Sequence, residues 1–421
     1  MSNEAYPDVW HRVDWRVLLH WLPSLLALAF VAIGLAWLVH RFVSRPRQAA
    51  LARFSFLLML YLAVAAQTLT TYMFDWGFGG DQFLEPMING TIQRPYVYRR
   101  LMPDLIRATS NLAARVLPER VLAKIEHQSH VRRFAFRGDT ARRYTTPADT
   151  VPYATMAPET WDRQKALDFH AGYALEFLCF FAILWMARAW TRMLFPDAPL
   201  FADIAPVVGL ILRLYAQPGH MYDAPETLFL LASAICVTRR AVWAHLPVFA
   251  TAMVNKEADL LLIPMVFVAL YGAIPRRRWL AAGLAHTVVG LGILFWLYSS
   301  YAHGRGGPVS HHLVDNIMFW GNPRSYFRTL DVFAPLIRTP MGVHPLLILP
   351  LLVLLIAGWQ PSPSAIRRLL VTSLALLIPL FALYAERDEI RNFSLATAAI
   401  YGMCCFGARR LWAVDPRPVA T

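Results

Sequence analysis

"RRRWLAAGLAHTVVGLGILFWLYSSY", residues 276–301, decides the fold class. Three arginines open the stretch, and residues 279–301 then carry no Asp, Glu, Lys or Arg. A helix needs about 20 apolar residues to cross the ~30 Å hydrocarbon core of a bilayer, and this run supplies them. Similar apolar windows recur near 17–40, 54–73, 168–187, 200–216, 225–238, 241–254, 258–274, 345–359, 369–385 and 394–408. Composition agrees: 57% of residues are hydrophobic and 16% charged, whereas a soluble domain carries nearer a quarter charged. The expectation is an all-α, polytopic transmembrane bundle of about eleven spans, forming one domain over residues 1–421. Residues 1–30 lead into a first span too long for the apolar core of a signal peptide, with no small-residue cleavage site at its end. That span is therefore expected to stay as an anchor.

Basic residues set the orientation. Arg41, Arg45, Arg47 and Arg53 separate the first two spans, and Arg188 and Arg192 follow the third. Arg239 and Arg240, then Arg276–Arg278, then Arg367 and Arg368, then Arg409 and Arg410 follow later spans. All fall on one side if eleven spans stand, and the positive-inside rule makes that side cytoplasmic. The opposite side receives two long loops, 74–167 and 302–344. The first contains "PDLIRATSNLAARVLPERVLAKIEHQ" (103–128), whose apolar residues recur at helical spacing opposite basic ones. An amphipathic helix on the outer leaflet is expected there.

The formal charge of +13 is thus explained by topology. No zinc-finger, RRM or helix-turn-helix pattern accompanies it, which excludes a nucleic-acid partner. Cys179, Cys236, Cys404 and Cys405 all lie in apolar segments without metal-ligand spacing, so they read as core residues.

Polar chemistry collects at the outer mouth in five separate stretches. "TTYMFDWGFGGDQF" (70–83) places Asp75 and Asp81 around three glycines, so either carboxylate is a candidate general base. "IQRPYVYRRLMPDL" (92–105) offers Arg94, Arg99 and Arg100 as forked phosphate donors, with the flat faces of Tyr96 and Tyr98 beside them. An interfacial anchor is the other reading of that stretch. "AQPGHMYDAPETLFL" (216–230) clusters His220, Tyr222, Asp223 and Glu226; the D-x-x-E spacing also fits a capping box. "MVNKEADLLLIP" (253–264) interrupts an apolar run with Lys256, Glu257 and Asp259. "LYAERDEIRNFSL" (383–395) brings Glu389 and Arg391 to the start of the last span. Within spans, Glu176 and Arg213 are expected to neutralise each other or to serve a lipid-phosphate groove.

Taken together, "RPYVYRRLMP", "MYDAPETLFLL", "NKEADLLLIP" and "ERDEIRNF", following an early outer aspartate, resemble bacterial members of the GT-C superfamily. These are polytopic glycosyltransferases that use polyprenyl-phosphate sugars, and the resemblance covers about residues 54–395. It implies a GT-C-like bundle in a bacterial inner membrane with its active site facing the exterior. A sugar would pass from a polyprenyl-phosphate donor to a glycan, lipid or protein acceptor. It further implies Asp75 or Asp81 as the base that deprotonates the acceptor hydroxyl. Arg94, Arg99, Arg100 and Lys256 would hold the donor phosphate, and Tyr96, Tyr98, Asp223, Glu226, Glu257, Glu389 and Arg391 would line the substrate site. Asp223 and Glu257 would hold the acceptor or a divalent cation, Mg or Mn. The chain departs from the best-known members in carrying an additional amino-terminal span and in lacking a paired D-E motif. Two other readings stand beside this one: an O-antigen polymerase or ligase acting on a lipid-linked oligosaccharide, and a lipid or solute transporter.

Overall fold

The computed structural model describes residues 46–75, 80–92, 94–126, 162–211, 221–302, 311–327, 329–333, 337–340, 343–385 and 390–412. Side chains at 46–49, 70–75, 80–83, 211, 329–333, 337–340, 390 and 391 lie outside the description. So does the span expected at 17–40.

The described chain is mostly helical. α1 runs Pro46–Asp75, α2 Gly80–Ile88, α3 Leu101–Val116 and α4 119–126. α5 spans Arg163–Leu194, α6 Pro199–Ile211, α7 Asp223–Thr238, α8 Val242–Asn255 and α9 Leu262–Leu270. α10 covers Arg276–Ser300, α11 Leu313–Trp320, α12 Pro345–Trp359, α13 Ser364–Tyr384 and α14 Thr397–Trp412. Among the described residues, four helical stretches are long and apolar enough to cross a membrane: Ala50–Leu69, Arg163–Leu194, Arg276–Ser300 and Ser364–Tyr384. The other apolar helices are shorter; α9, at nine residues, extends only about 14 Å.

The loop expected over 302–344 carries more structure than its sequence shows. α11 and a 3₁₀ turn at Pro323–Phe327 precede an antiparallel hairpin, β1 (Thr329–Phe333) with β2 (Ile337–Pro340). Thr329 pairs with Pro340 and Asp331 with Arg338. Strands this short leave too little period-2 pattern to be read beforehand.

Packing follows the apolar stripes. α10 is apolar all round, yet it buries Ala282, His286, Gly290 and Leu297, spaced four, four and seven apart on one face. The opposite face leaves Phe295 77% exposed and Leu284 68%, the surface expected against lipid rather than water. The core gathers Tyr61, Phe180, Trp190, Phe249, Met253 and Tyr401. α5 is its spine, touching α1, α3, α6 and α7. One buried polar chain crosses it. His286 Nδ1 donates to the Ala282 carbonyl at 2.7 Å, so its Nε2 accepts from His245 Nδ1 at 3.0 Å. His245 Nε2 lies 3.0 Å from the Ser233 hydroxyl, which also lies 2.8 Å from the Phe229 carbonyl.

The amphipathic segment forms α3, and it docks on α5 through one face. Ile106 meets Gly172, and Asp168 accepts from the Ser110 hydroxyl and from Gln164 Nε2 at 2.9 Å. Leu112 and Val116 remain exposed on the other face. The helix begins at Leu101, so Pro103 sits inside its first turn. Proline is tolerated there because a first-turn N–H has no intrahelical partner to lose.

α12 and α14 cross backbone to backbone at Gly358 and Gly407. A Cβ on Gly358 would collide with the Met403 carbonyl, and one on Gly407 with the Leu354 carbonyl. Small residues permit this approach in helix pairs that cannot rely on the hydrophobic effect. Gly407→Ala is therefore expected to lower the unfolding midpoint in detergent. Overpacking by about 1–3 kcal/mol outweighs the ~1 kcal/mol by which alanine favours a helix. Gly292→Ala, with nothing within 4 Å, should leave the midpoint unchanged or raise it. Equal shifts in both variants would contradict the crossing.

Candidate functional site

α8 ends at Asn255 because Lys256 leaves helical dihedrals, with φ −154° and ψ 122°. A 3₁₀ turn, Glu257–Leu261, then leads into α9. The charged run predicted as an interruption is thus a true break, and it lies against the start of α7. Lys256 Nζ donates to Glu226 Oε2 at 2.8 Å and stands 3.8 Å from Asp223 Oδ1. Glu226 Oε1 accepts from the Ser394 hydroxyl at 2.9 Å, which brings in the 3₁₀ turn Ile390–Ala396 before α14. Asn255 Nδ2 donates to the Tyr222 carbonyl at 2.8 Å. Glu226, Asn255 and Asp259 are fully buried. Burial would push the Lys256 pKa down, but Glu226 and Asp223 outweigh it and raise it, so the ammonium stays charged.

The capping-box expectation is not realised. Tyr222 is the N-cap of α7 and makes no side-chain cap, while Asp223 and Glu226 sit inside the first turn. Both acids lie where the helix dipole favours negative charge, and both face Lys256.

The arginine stretch joins this cluster from α3's leading edge. Arg100 N donates to the Val254 carbonyl at 3.0 Å, fastening the stretch to the end of α8. The Arg99 guanidinium lies 4.1 Å from the Tyr222 ring centroid and 5.0 Å from that of Tyr96. Its Nε is 3.5 Å from Glu257 Oε2, while neither Nη group makes a hydrogen bond among the described residues. Arg99 therefore presents a planar edge with open donors. Arg100 does not: Nη1 donates to the Met87 carbonyl at 2.6 Å and Nη2 pairs with Asp104. It clamps α2 to α3. Tyr98 packs edge-on against Tyr298 of α10 at 4.5 Å, and Arg94 is half-buried beside Pro95.

Eight predicted residues thus come together: Tyr96, Tyr98, Arg99, Arg100, Asp223, Glu226, Lys256 and Glu257. The backbones of Asp75, at the end of α1, of Asp81, in α2, and of Arg391, in the last 3₁₀ turn, are described, but their side chains are not. Glu389, His220 and Arg213 lie outside the described residues, so the expected Arg213 partner of Glu176 does too. Glu176 is 1% exposed, and neither carboxylate oxygen has a hydrogen-bond partner among the described residues. Lys256 engages Asp223 and Glu226, and among the described residues no three His, Cys, Asp or Glu side chains are grouped to hold a metal.

Sequence reading missed Asn255 and Ser394, since single neutral side chains carry no spacing signal. A groove of about 320 Å³ lined by Val268, Trp359, Arg367 and Val371 lies elsewhere, between α9, α12 and α13. Comparison with protein-family models, curated proteins and solved structures finds no match to this chain.

Asn255→Leu removes one of the two donors to the Tyr222 carbonyl, which keeps the Glu226 N–H at 3.1 Å, so it is expected to cost about 0.5–1.5 kcal/mol of stability. Equilibrium unfolding in detergent reads this, and a variant as stable as the wild type would show that Asn255 does not hold the turn.

Proposed function

We propose that this chain is a membrane glycosyltransferase of GT-C type, taking its sugar from a polyprenyl-phosphate donor. The observation that carries the reading is the open donor edge of Arg99, set on two tyrosine rings beside a buried cation. Such an edge suits a phosphate oxygen, while the ring faces suit a sugar or prenyl unit. The full bundle is read as eleven spans in a bacterial inner membrane, with this cluster on the exterior side.

In the proposed reaction Asp75 or Asp81 takes the proton from the acceptor hydroxyl. The acceptor oxygen attacks the anomeric carbon, and the bond from that carbon to the phosphate oxygen breaks, leaving its electron pair on the lipid phosphate. Arg99 binds the oxygen on which this charge grows, which lowers the barrier more than it tightens substrate binding. Lys256 acts at one remove: paired with Glu226, it fixes the wall on which Arg99 and Tyr222 rest.

A transporter is the second reading. It draws on Glu176, a carboxylate without a hydrogen-bond partner among the described residues, within a helix long enough to cross a membrane.

The test is release of polyprenyl phosphate from polyprenyl-phosphate sugars by the purified protein in detergent. Arg99→Gln is expected to lower the rate about 10²–10³-fold, the usual loss for one charge-stabilising donor. One of Asp75→Asn and Asp81→Asn should lose at least ~10²-fold. No turnover by the wild type, or full activity in both aspartate variants, would overturn the assignment. Turnover without a sealed vesicle would remove the transporter reading.

A further inference from the structure

Three arginines and one carboxylate meet where α1, α5 and α6 pack together. Arg53 Nε donates to Asp203 Oδ2 at 2.8 Å, and its Nη2 bonds the same oxygen. Arg188 Nε donates to Oδ1 at 2.7 Å, and Arg192 Nη2 stands 3.7 Å from that oxygen. The Tyr61 hydroxyl holds the Asp203 carbonyl at 2.9 Å, and the carboxylate itself is buried. Among the described residues three cations face one anion, which leaves two positive charges uncompensated.

Those charges still have donors to offer. Among the described residues neither Nη of Arg188 makes a hydrogen bond, and Arg192 makes none at all, its Nε being buried without a partner. Arg192 remains 42% exposed at its side chain, so the cluster is reachable from outside. The Arg188 guanidinium lies 5.1 Å from the Trp185 ring centroid, which fixes its plane. Next to it, α1 and α6 present Phe54, Met59, Ile204 and Val208 as exposed apolar side chains.

The position is distinct from the cluster around Lys256. Arg188 lies twelve residues along α5, about 18 Å, from Glu176, the α5 carboxylate that interacts with Asp223 of that cluster. An open set of guanidinium donors at one end of an exposed apolar face matches one kind of ligand: a phosphate headgroup with acyl chains beneath it. Basic pockets between membrane helices bind anionic headgroups in this way. We infer that Arg53, Arg188 and Arg192, gathered by Asp203, form a site for an anionic phospholipid at the end of α5 remote from the catalytic cluster. Asp203 is a positioning residue there, holding three like charges together that would otherwise repel.

The experiment is binding of phosphatidylglycerol, against phosphatidylcholine, to the full-length protein in neutral detergent, read by native mass spectrometry. Arg192→Gln leaves Asp203 paired with Arg53 and Arg188, so an unchanged unfolding midpoint in the same detergent serves as the folding control. It is expected to weaken phosphatidylglycerol binding about fivefold, and Arg192→Lys to recover part of that loss. Arg277→Gln removes an exposed charge at the start of α10 and should change nothing. An equal loss in Arg277→Gln would make the effect one of bulk charge and overturn the site. Displacement of the lipid by millimolar inorganic phosphate would overturn the lipid assignment in favour of a free anion. Equal binding of phosphatidylcholine would overturn both.

Discussion

The contact between Lys256 and Glu226 is the constraint from which the candidate site follows. Removing both charges from water costs several kcal/mol per ion, and only close geometry with further hydrogen bonds offsets it. Here the pair is 2.8 Å apart, Ser394 serves the second oxygen of Glu226, and Asp223 stands 3.8 Å from the ammonium. Three segments far apart in sequence are held by that one requirement: the first turn of α7, the break after α8, and the 3₁₀ turn before α14. Arg99 and Tyr222 then take their places on a wall already fixed.

The break after α8 is what admits the ion pair. The Lys256 amide still donates to the Ala252 carbonyl at 2.8 Å and closes the last turn of α8, while its extended dihedrals turn the chain and give the side chain a path to α7. Irregular backbone of this kind is tolerated within a membrane protein only where protein or a cavity satisfies it. Arg100 supplies part of that satisfaction by donating its amide to Val254. The opposite end of α5 works differently: there Asp203 of α6 is outnumbered by arginines, of which Arg192 is 42% exposed at its side chain. Between the two ends the interior is apolar apart from groups such as the His245–His286 pair and Glu176.

Long helices were legible in the sequence because hydropathy alone specifies them. Apolar runs at 345–359 and 279–301 match α12 and α10 within three residues. The gathering of Arg99, Asp223, Lys256 and Glu257 at one end was legible as well, since topology puts every second loop on the same side. Individual partners were not. Asp223 and Glu226 fit a capping box by spacing, yet tertiary contact with Lys256 decides their orientation. Arg99 and Arg100 are adjacent and identical in type; only the fold shows one clamping Met87 while the other keeps its terminal donors open. The hairpin at 329–340 was illegible for another reason, because its strands are too short to establish a period.

A double-mutant cycle on Lys256 and Glu226, read as equilibrium unfolding in detergent, tests the central claim most directly. Lys256→Met strands a buried carboxylate and is expected to cost about 3–5 kcal/mol, while Glu226→Gln leaves the ammonium with Asp223 at 3.8 Å and is expected to cost less. The double variant removes both charges and should be more stable than either single one, with a coupling of at least ~2 kcal/mol. Additive losses, with the double variant the least stable of the three, would contradict the pair as the constraint that assembles this site.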